Sequence, residues 1–304
     1  MVGSQMKKIS FVILHYITIN DTNKCVQSIR NNIDTTNYSI VIVDNGSTNN
    51  SGEVLKEMYA NEENIYVITN EGNLGFANGN NIGITFSREK LKADFVCCLN
   101  SDTEIMDCDF YSKVMSEYDE NYTAVIGPQI LDKNKKEYKY RQNIKTCEEY
   151  IKELEEYSKL SFVYSKALKS YLRNFSIKTG FLKKFYSRRD IAIYKDIVMP
   201  QCRTENVKLH GCCLVFTPLF FSKLYGFDNR TFLYREEELL YLNLKKNGLK
   251  SVYLPNISII HYEDGATNSI LPTPFKKWKF VQEQQEKSLV VLIKTIQACD
   301  WLKQ

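Results

Sequence analysis

The chain has 304 residues, 43% of them hydrophobic and 25% charged, with a net charge of +4 at pH 7. Glycine (13) and proline (6) are too sparse for a collagen-like or low-complexity protein, and no apolar run approaches the roughly 18–20 residues that span a bilayer. The length suits one large α/β domain or two fused halves.

Met1–Gln5 ahead of Met6 read as an expression remnant and are set aside, and no secretory signal is expected. Ile9–Leu14 reads as a buried strand. Asp21 is placed to cap a helix with Cys25, Val26, Ile29 and Ile33 on one face. Ser39–Val43 is a second strand and runs straight into Asp44-Asn45-Gly46-Ser47. A helix over Glu53–Tyr59 and a strand over Ile65–Ile68 follow. The glycine-rich turn Asn70–Gly75 then opens a helix over Phe76–Phe86. Phe95–Leu99 is a fourth strand, ending in Asn100-Ser101-Asp102-Thr103. Strands alternating with helices predict βαβ units and a mostly parallel sheet. Ligands bind such sheets outside the carboxyl ends of their strands, which is where these polar motifs fall.

The next segment differs. From Lys133 to Arg189 there are 16 basic and 6 acidic residues, an excess of ten, so the rest of the chain is net acidic. It reads as a helical insertion. Tyr164, Ala167, Leu168, Tyr171, Leu172 and Phe175 share a helical face, with Lys166, Lys169 and Arg173 between them. Such a helix can lie on an anionic membrane surface; packing on the sheet or on a second subunit is the competing use. Val207–Phe216 and Val252–Ile260 return to strand character, with a polar helix start at Tyr234–Leu240 between them. Phe280–Trp301 is an amphipathic helix carrying Val281, Leu289, Leu292, Ile293 and Ile296. The expected units are 6–130, 131–205, 206–270 and 271–304. The nine cysteines include the adjacent pairs Cys97-Cys98 and Cys212-Cys213. Strand neighbours point to opposite faces, so neither pair can hold one metal, and buried thiols are the expectation.

Each motif carries two readings. Asp44 can accept hydrogen bonds from a nucleoside or make an Asx turn. The glycine-rich turn lets backbone approach a nucleotide, or is a plain loop. Asp102 can ligate Mg²⁺ or Mn²⁺, or cap a helix ahead of Glu104. Glu236-Glu237-Glu238 can supply a general base, or is a solvated helix start. His261 at a strand end is a candidate ligand, and His210 a candidate acceptor contact.

In order, the motifs resemble glycosyltransferase family 2, nearest to bacterial rhamnosyltransferase-like enzymes of cell-surface polysaccharide synthesis. The likeness rests on His15-Tyr16, Asp44–Ser47, Asn70–Asn81 and Leu99–Thr103. It continues through His210–Pro218, Gly226–Asp228, Thr231–Glu238, Lys245–Gly248 and His261. It covers roughly residues 8–130 and 206–268. The resemblance implies a GT-A fold and an inverting transfer of rhamnose or a hexose from a dTDP- or UDP-linked donor. It implies Asp44 on the nucleoside, a divalent cation on Asp102 and His261, and Glu237 or its neighbour Glu238 as base. The donor side is then His15, Asp44, Asn73, Gly75, Phe76, Asn80, Ser101 and Asp102. The acceptor side is His210, Gly211, Cys212 and Glu236. A polyprenyl-diphosphate-linked glycan is the expected acceptor, at the cytoplasmic face of the membrane; no nucleic acid is expected. Where relatives have a D-x-D motif and a Glu-Asp pair, this chain has Asn100-Ser101-Asp102 and three glutamates. A sugar-phosphate nucleotidyltransferase would need a G-x-G-T-R-like loop after the first strand, where His15–Ile19 stands. A non-catalytic sugar-nucleotide or glycan-binding module is the third reading, and the acidic motifs weigh against it.

Overall fold

The structure is a computed structural model that describes residues 6–158, 197–263 and 274–299. The basic stretch Tyr164–Arg189 and Asp264–Gly265 lie outside them.

Among the described residues, nine strands form one sheet. The first four are β1 (Ile9–His15), β2 (Tyr38–Asp44), β3 (Ile65–Thr69) and β4 (Phe95–Asn100), in the order β3-β2-β1-β4 and all parallel. The residues of β1, β2 and β4 are buried almost throughout, the signature of strands covered on both faces, whereas edge strand β3 is buried only at Ile65. The connections are α1 (Ile19–Asn32), α2 (Ser51–Met58) and α3 (Gly75–Glu89). Helix α3 lies close on the sheet because Gly83 has no side chain. A Cβ there would come within 2.3 Å of Val12 Cγ1. Thr18 is the N-cap of α1 and Asp21 lies in its first turn, where a carboxylate favours the helix dipole without capping.

The register aligns the strand ends. His15 sits opposite Asp44, Asp44 opposite Thr69, and Leu14 opposite Asn100. The apolar runs stop on one line, so the polar motifs beyond them gather at one edge.

The later strands extend the sheet mostly antiparallel. Short β5 (Thr103–Ile105) is followed by α4 (Phe110–Asn121) and β6 (Val125–Leu131). Helix α5 (Cys147–Ser158), β7 (Thr204–Glu205), β8 (Cys213–Phe216) and α6 (Pro218–Phe221) come next. Helix α7 (Glu236–Lys246), β9 (Ser251–His261) and α8 (Pro274–Gln297) complete the described chain. Strand β8 pairs β4 with Leu99 opposite Cys213, and β5 pairs β9 with Thr103 opposite His261. Both pairings carry later residues to the edge where Asn100–Asp102 stands. Because Asp102 leads into a strand, it is not a helix cap.

The strand expected over Val207–Phe216 is confined to β8. Its first half leaves the sheet: Lys208 N–H donates to Gln142 O, while Leu209 packs on Gly127. Helix α8 buries Leu289, Leu292, Ile293 and Ile296 against Leu239 and Leu242 of α7 and Tyr150 of α5. This second apolar cluster fixes α7 from behind. No helix among the described residues is long and apolar enough to cross a membrane.

Candidate functional site

On the donor side, Asp44 is buried at the end of β2, and its Oδ1 accepts the Ser47 N–H at 3.1 Å. The Asx turn therefore exists. Asn45, which the motif reading passed over, ties the loops together. Its Oδ1 accepts from Leu74 N–H at 3.1 Å, and its Nδ2 donates to Gly75 O at 3.1 Å and to Asn73 Oδ1 at 3.1 Å. Asn73 Oδ1 also accepts the Gly75 N–H at 2.9 Å.

Gly75 opens α3 with φ +83°, and Phe76 N–H donates to Phe232 O at 2.8 Å. That bond joins the donor loop to the segment ahead of α7. A Cβ on Gly75 would lie 2.1 Å from Phe232 O, a backbone atom that cannot step aside. Gly75→Ala is therefore expected to cost more than the ~1–2 kcal/mol of a left-handed alanine. Gly72→Ala is the control, since a Cβ at Gly72 meets nothing within 4 Å. Denaturation of the two variants, read beside nucleotide affinity, checks this. Equal stability would show that the loop yields.

Two donor-side expectations change. His15 is fully buried, with Nδ1 2.7 Å from Thr22 Oγ1 and Nε2 2.8 Å from Ser51 Oγ. Both nitrogens are thus engaged with α1 and α2, and the ring ties the end of β1 to those two helices. Burial lowers its pKa to about 4 against the pull of Asp44, so the ring is neutral. Asn80 is likewise buried within α3 and donates to Phe76 O at 3.0 Å; its Oδ1 has no hydrogen-bond partner.

The other side is a cleft of about 280 Å³. It is lined by Phe76, Asn100, His210, Gly211, Cys212, Gln285 and the run Leu233–Glu238. The cleft unites Phe76, His210, Gly211, Cys212 and the three glutamates of the motif reading. Asp44, Asn73, Ser101 and Asp102 lie outside its lining, at the neighbouring strand ends.

The start of α7 is held in an unusual backbone conformation. Tyr234 (φ 73°) and Arg235 (φ 69°) are both left-handed, which costs on the order of 1–3 kcal/mol each. Arg235 offsets this through ion pairs to Glu153 at 2.7 Å and to Glu238 at 3.6 Å.

The three glutamates then differ in role. Glu236 is buried and receives Thr231 Oγ1 at 3.3 Å; burial raises its pKa to about 7. Glu238, its side chain 10% exposed, is taken up by Arg235 and by Lys208 at 3.9 Å. Glu237 is the most open, with 28% of its side chain exposed. Its Oε1 accepts the Gly211 N–H at 2.5 Å, Lys208 Nζ stands 3.3 Å from Oε2, and His210 Nδ1 is 3.9 Å away. Burial works against ionisation of Glu237, but Lys208, His210 and the Gly211 amide outweigh it and hold the carboxyl below its ordinary range. Burial lowers the pKa of His210 against the opposing effect of Glu237. Tyr138 and Tyr140 set their rings edge-on to His210, each at 5.3 Å.

Asp102 is buried, with Oδ1 3.3 Å from His261 Nε2, and its carbonyl accepts the Tyr262 N–H at 3.0 Å. His261 Nδ1 is buried without a hydrogen-bond partner. Asp102 Oδ1 and the neighbouring His261 Nε2 set an oxygen beside an imidazole nitrogen, a donor set that fits a divalent cation.

Lys208 was missed in the motif reading. It is the only formal charge within Val207–Phe216, and a lone lysine in an apolar run was the available signal.

A nine-stranded α/β sheet with polar loops at its strand ends and a carboxylate-lined cleft is the GT-A glycosyltransferase fold. It matches GalNAc-T7 solved with UDP, GalNAc and Mn²⁺ at a TM-score of 0.54 and 14% identity, over 85% of this chain and 44% of that one. The chain belongs to glycosyl transferase family 2, whose model matches residues 10–186. A low-salt glycan biosynthesis hexosyltransferase of Haloferax volcanii is 34% identical over 93 residues, 31% of this chain and 28% of that protein. A dTDP-rhamnosyl transferase of Shigella flexneri is 29% identical over 129 residues, 42% of each chain. The chain thus spans less than half the length of these curated relatives.

Proposed function

We propose that this protein is an inverting glycosyltransferase with Glu237 as its general base. The observation that carries the reading is the Glu237 carboxylate, open to the cleft and kept ionised between Lys208 and the Gly211 amide. In the reaction, an acceptor sugar hydroxyl gives its proton to Glu237. Its oxygen forms a bond to the anomeric carbon of the donor on the face opposite the nucleotide. The bond from that carbon to the diphosphate oxygen breaks, and the nucleoside diphosphate leaves with its electron pair. Asn45, Asn73 and Gly75 hold the loop against which the nucleotide docks, with Asp44 toward the nucleoside. Asp102 and His261 would hold a divalent cation, Mg²⁺ or Mn²⁺, whose chemistry is charge neutralisation of the diphosphate.

The Shigella relative leans the donor toward dTDP-rhamnose, with UDP-hexoses next. The test is a panel of nucleotide sugars with either cation, scored for nucleoside diphosphate release and for saturation-transfer NMR contacts. Transfer from none of them overturns the reading.

Asp102→Ala is expected to abolish metal-dependent donor binding, because Asp102 is the only carboxylate in Asn100–Asp102. Calorimetry with a nucleoside diphosphate, with and without Mn²⁺, checks it. A metal-dependent affinity equal to wild type removes Asp102 from the cation site.

A lipid-linked glycan at an anionic membrane surface is the proposed acceptor, on the strength of the basic segment. Each nearby lysine or arginine contributes about 1 kcal/mol at such a surface. The chain is expected to float with anionic vesicles at low salt, and less so when Lys183, Lys184, Arg188 and Arg189 become Glu. Equal flotation of the two forms, or none, overturns surface docking.

A further inference from the structure

His210, Cys212 and His261 meet at one wall of the cleft. The sheet explains why. Strand β8 begins beside Cys212 and β9 ends at His261, and both pair with residues flanking Asn100–Asp102. Asn100 N–H donates to Cys212 O at 2.9 Å and fixes the approach. One ligand atom from each of the three side chains lies within 4.8 Å of the others. Around a tetrahedral Zn²⁺, bond lengths of about 2.0–2.3 Å separate ligand atoms by roughly 3.3–3.8 Å. Closing that gap takes about 1 Å of side-chain movement.

The chemistry of the three is specific. One sulfur and two imidazole nitrogens suit a borderline-soft cation such as Zn²⁺ or Co²⁺, whereas Mg²⁺ prefers oxygen. The surroundings are those of a built site. Cys212 is 1% and His261 9% exposed, so the wall is dry. Yet His210 and Cys212 also line the cleft, which supplies an entry path. The Tyr138 and Tyr140 ring edges fix the plane of His210. Asp102 Oδ1, 3.3 Å from His261 Nε2, provides the carboxylate–imidazole contact that orients metal-binding histidines. A second observation is independent of the clustering: His261 Nδ1 is buried with no hydrogen-bond partner. Such an atom is uncommon in a folded interior and asks for a ligand.

We propose that His210, Cys212 and His261 form a binding site for a thiophilic divalent cation of the Zn²⁺ class. Its sulfur and the His210 nitrogen separate it from the Asp102 end that suits Mg²⁺ or Mn²⁺, and it would use His261 Nδ1, the ring nitrogen turned away from Asp102. Binding converts the Cys212 thiol to thiolate with release of its proton. The site shares His261 with the donor end of the cleft.

The test uses the full chain, stripped of metal with a chelator and titrated with Co²⁺ in the absence of nucleotide. It is therefore independent of the transfer reaction. The expected result is a near-ultraviolet thiolate-to-cobalt charge-transfer band that saturates at one equivalent, is displaced by Zn²⁺ and is untouched by excess Mg²⁺. Cys212→Ser is expected to remove the band, while Cys202→Ser, at an exposed thiol, keeps it. Zn²⁺ affinity is expected to fall roughly tenfold or more in Cys212→Ser and in His210→Gln. The second variant retains the thiol and serves if the serine variant does not fold. Absence of the band in the wild-type chain, its survival in Cys212→Ser, or unchanged Zn²⁺ affinity in His210→Gln overturns the site.

Discussion

Glu237→Gln is expected to lower sugar transfer by roughly 10²–10⁴, the usual contribution of a general base, while donor affinity stays within a few-fold of wild type. The amide keeps the shape of the carboxylate and can still accept the Gly211 N–H, so the cleft wall persists. What is lost is the site that takes the acceptor's proton. Glu238→Gln is the discriminating partner. Its carboxylate is occupied by Arg235 and Lys208 and is largely buried, so its loss falls on stability more than on proton transfer. Single-turnover rates and calorimetric donor affinity, measured on both variants, separate the two roles. A Glu238→Gln enzyme that is dead while Glu237→Gln turns over would move the base by one residue.

Much of this arrangement was legible because parallel strands announce their ends. Val43 gives way to Asp44, and Leu99 to Asn100, so apolar runs stop where chemistry begins. The register then aligns those ends without help from any distant residue. His15 was read differently because its partners, Thr22 and Ser51, become neighbours only when α1 and α2 pack on β1. It shares a strand face with Phe11 and Ile13, and that alternation pointed to burial. Val207–Phe216 read as one strand because alternating apolar residues do not reveal where a strand departs from its sheet. The separate roles of the three glutamates depend on Lys208, which reaches Glu237 and Glu238 from a distant part of the chain, and on Arg235, which Glu153 holds beside Glu238. A helix start rich in acid looks the same in sequence whether it is solvated or paired.

Lys208→Met should be the most damaging single change away from the base itself. The Lys208 side chain is 9% exposed and lies between Glu237 at 3.3 Å and Glu238 at 3.9 Å. Burial works against its charge, but the two carboxylates outweigh that and raise its pKa. Methionine fills similar volume and leaves both carboxylates without this partner. Because Glu237 is open to the cleft and Glu238 keeps Arg235, the expected cost is about 1–3 kcal/mol, that of an unsatisfied polar group, and not that of a fully buried lone charge. The deficit has a definite pH dependence. In the wild-type chain the Glu237 pKa is depressed below its ordinary 4.5. Its stabilising contribution is therefore complete above that pH and is lost as pH falls through the depressed value. The gap between variant and wild type should be widest near neutrality and should narrow as the solution is acidified below pH 4.5. Without Lys208, the Glu237 pKa also rises, so the acid limb of the rate profile should move to higher pH. Denaturant unfolding at pH 7 and at pH 4, with a rate–pH profile, measures both effects. A gap independent of pH, with an unmoved acid limb, would mean that Lys208 contributes packing alone and that Glu237 owes its ionisation to His210 and the Gly211 amide.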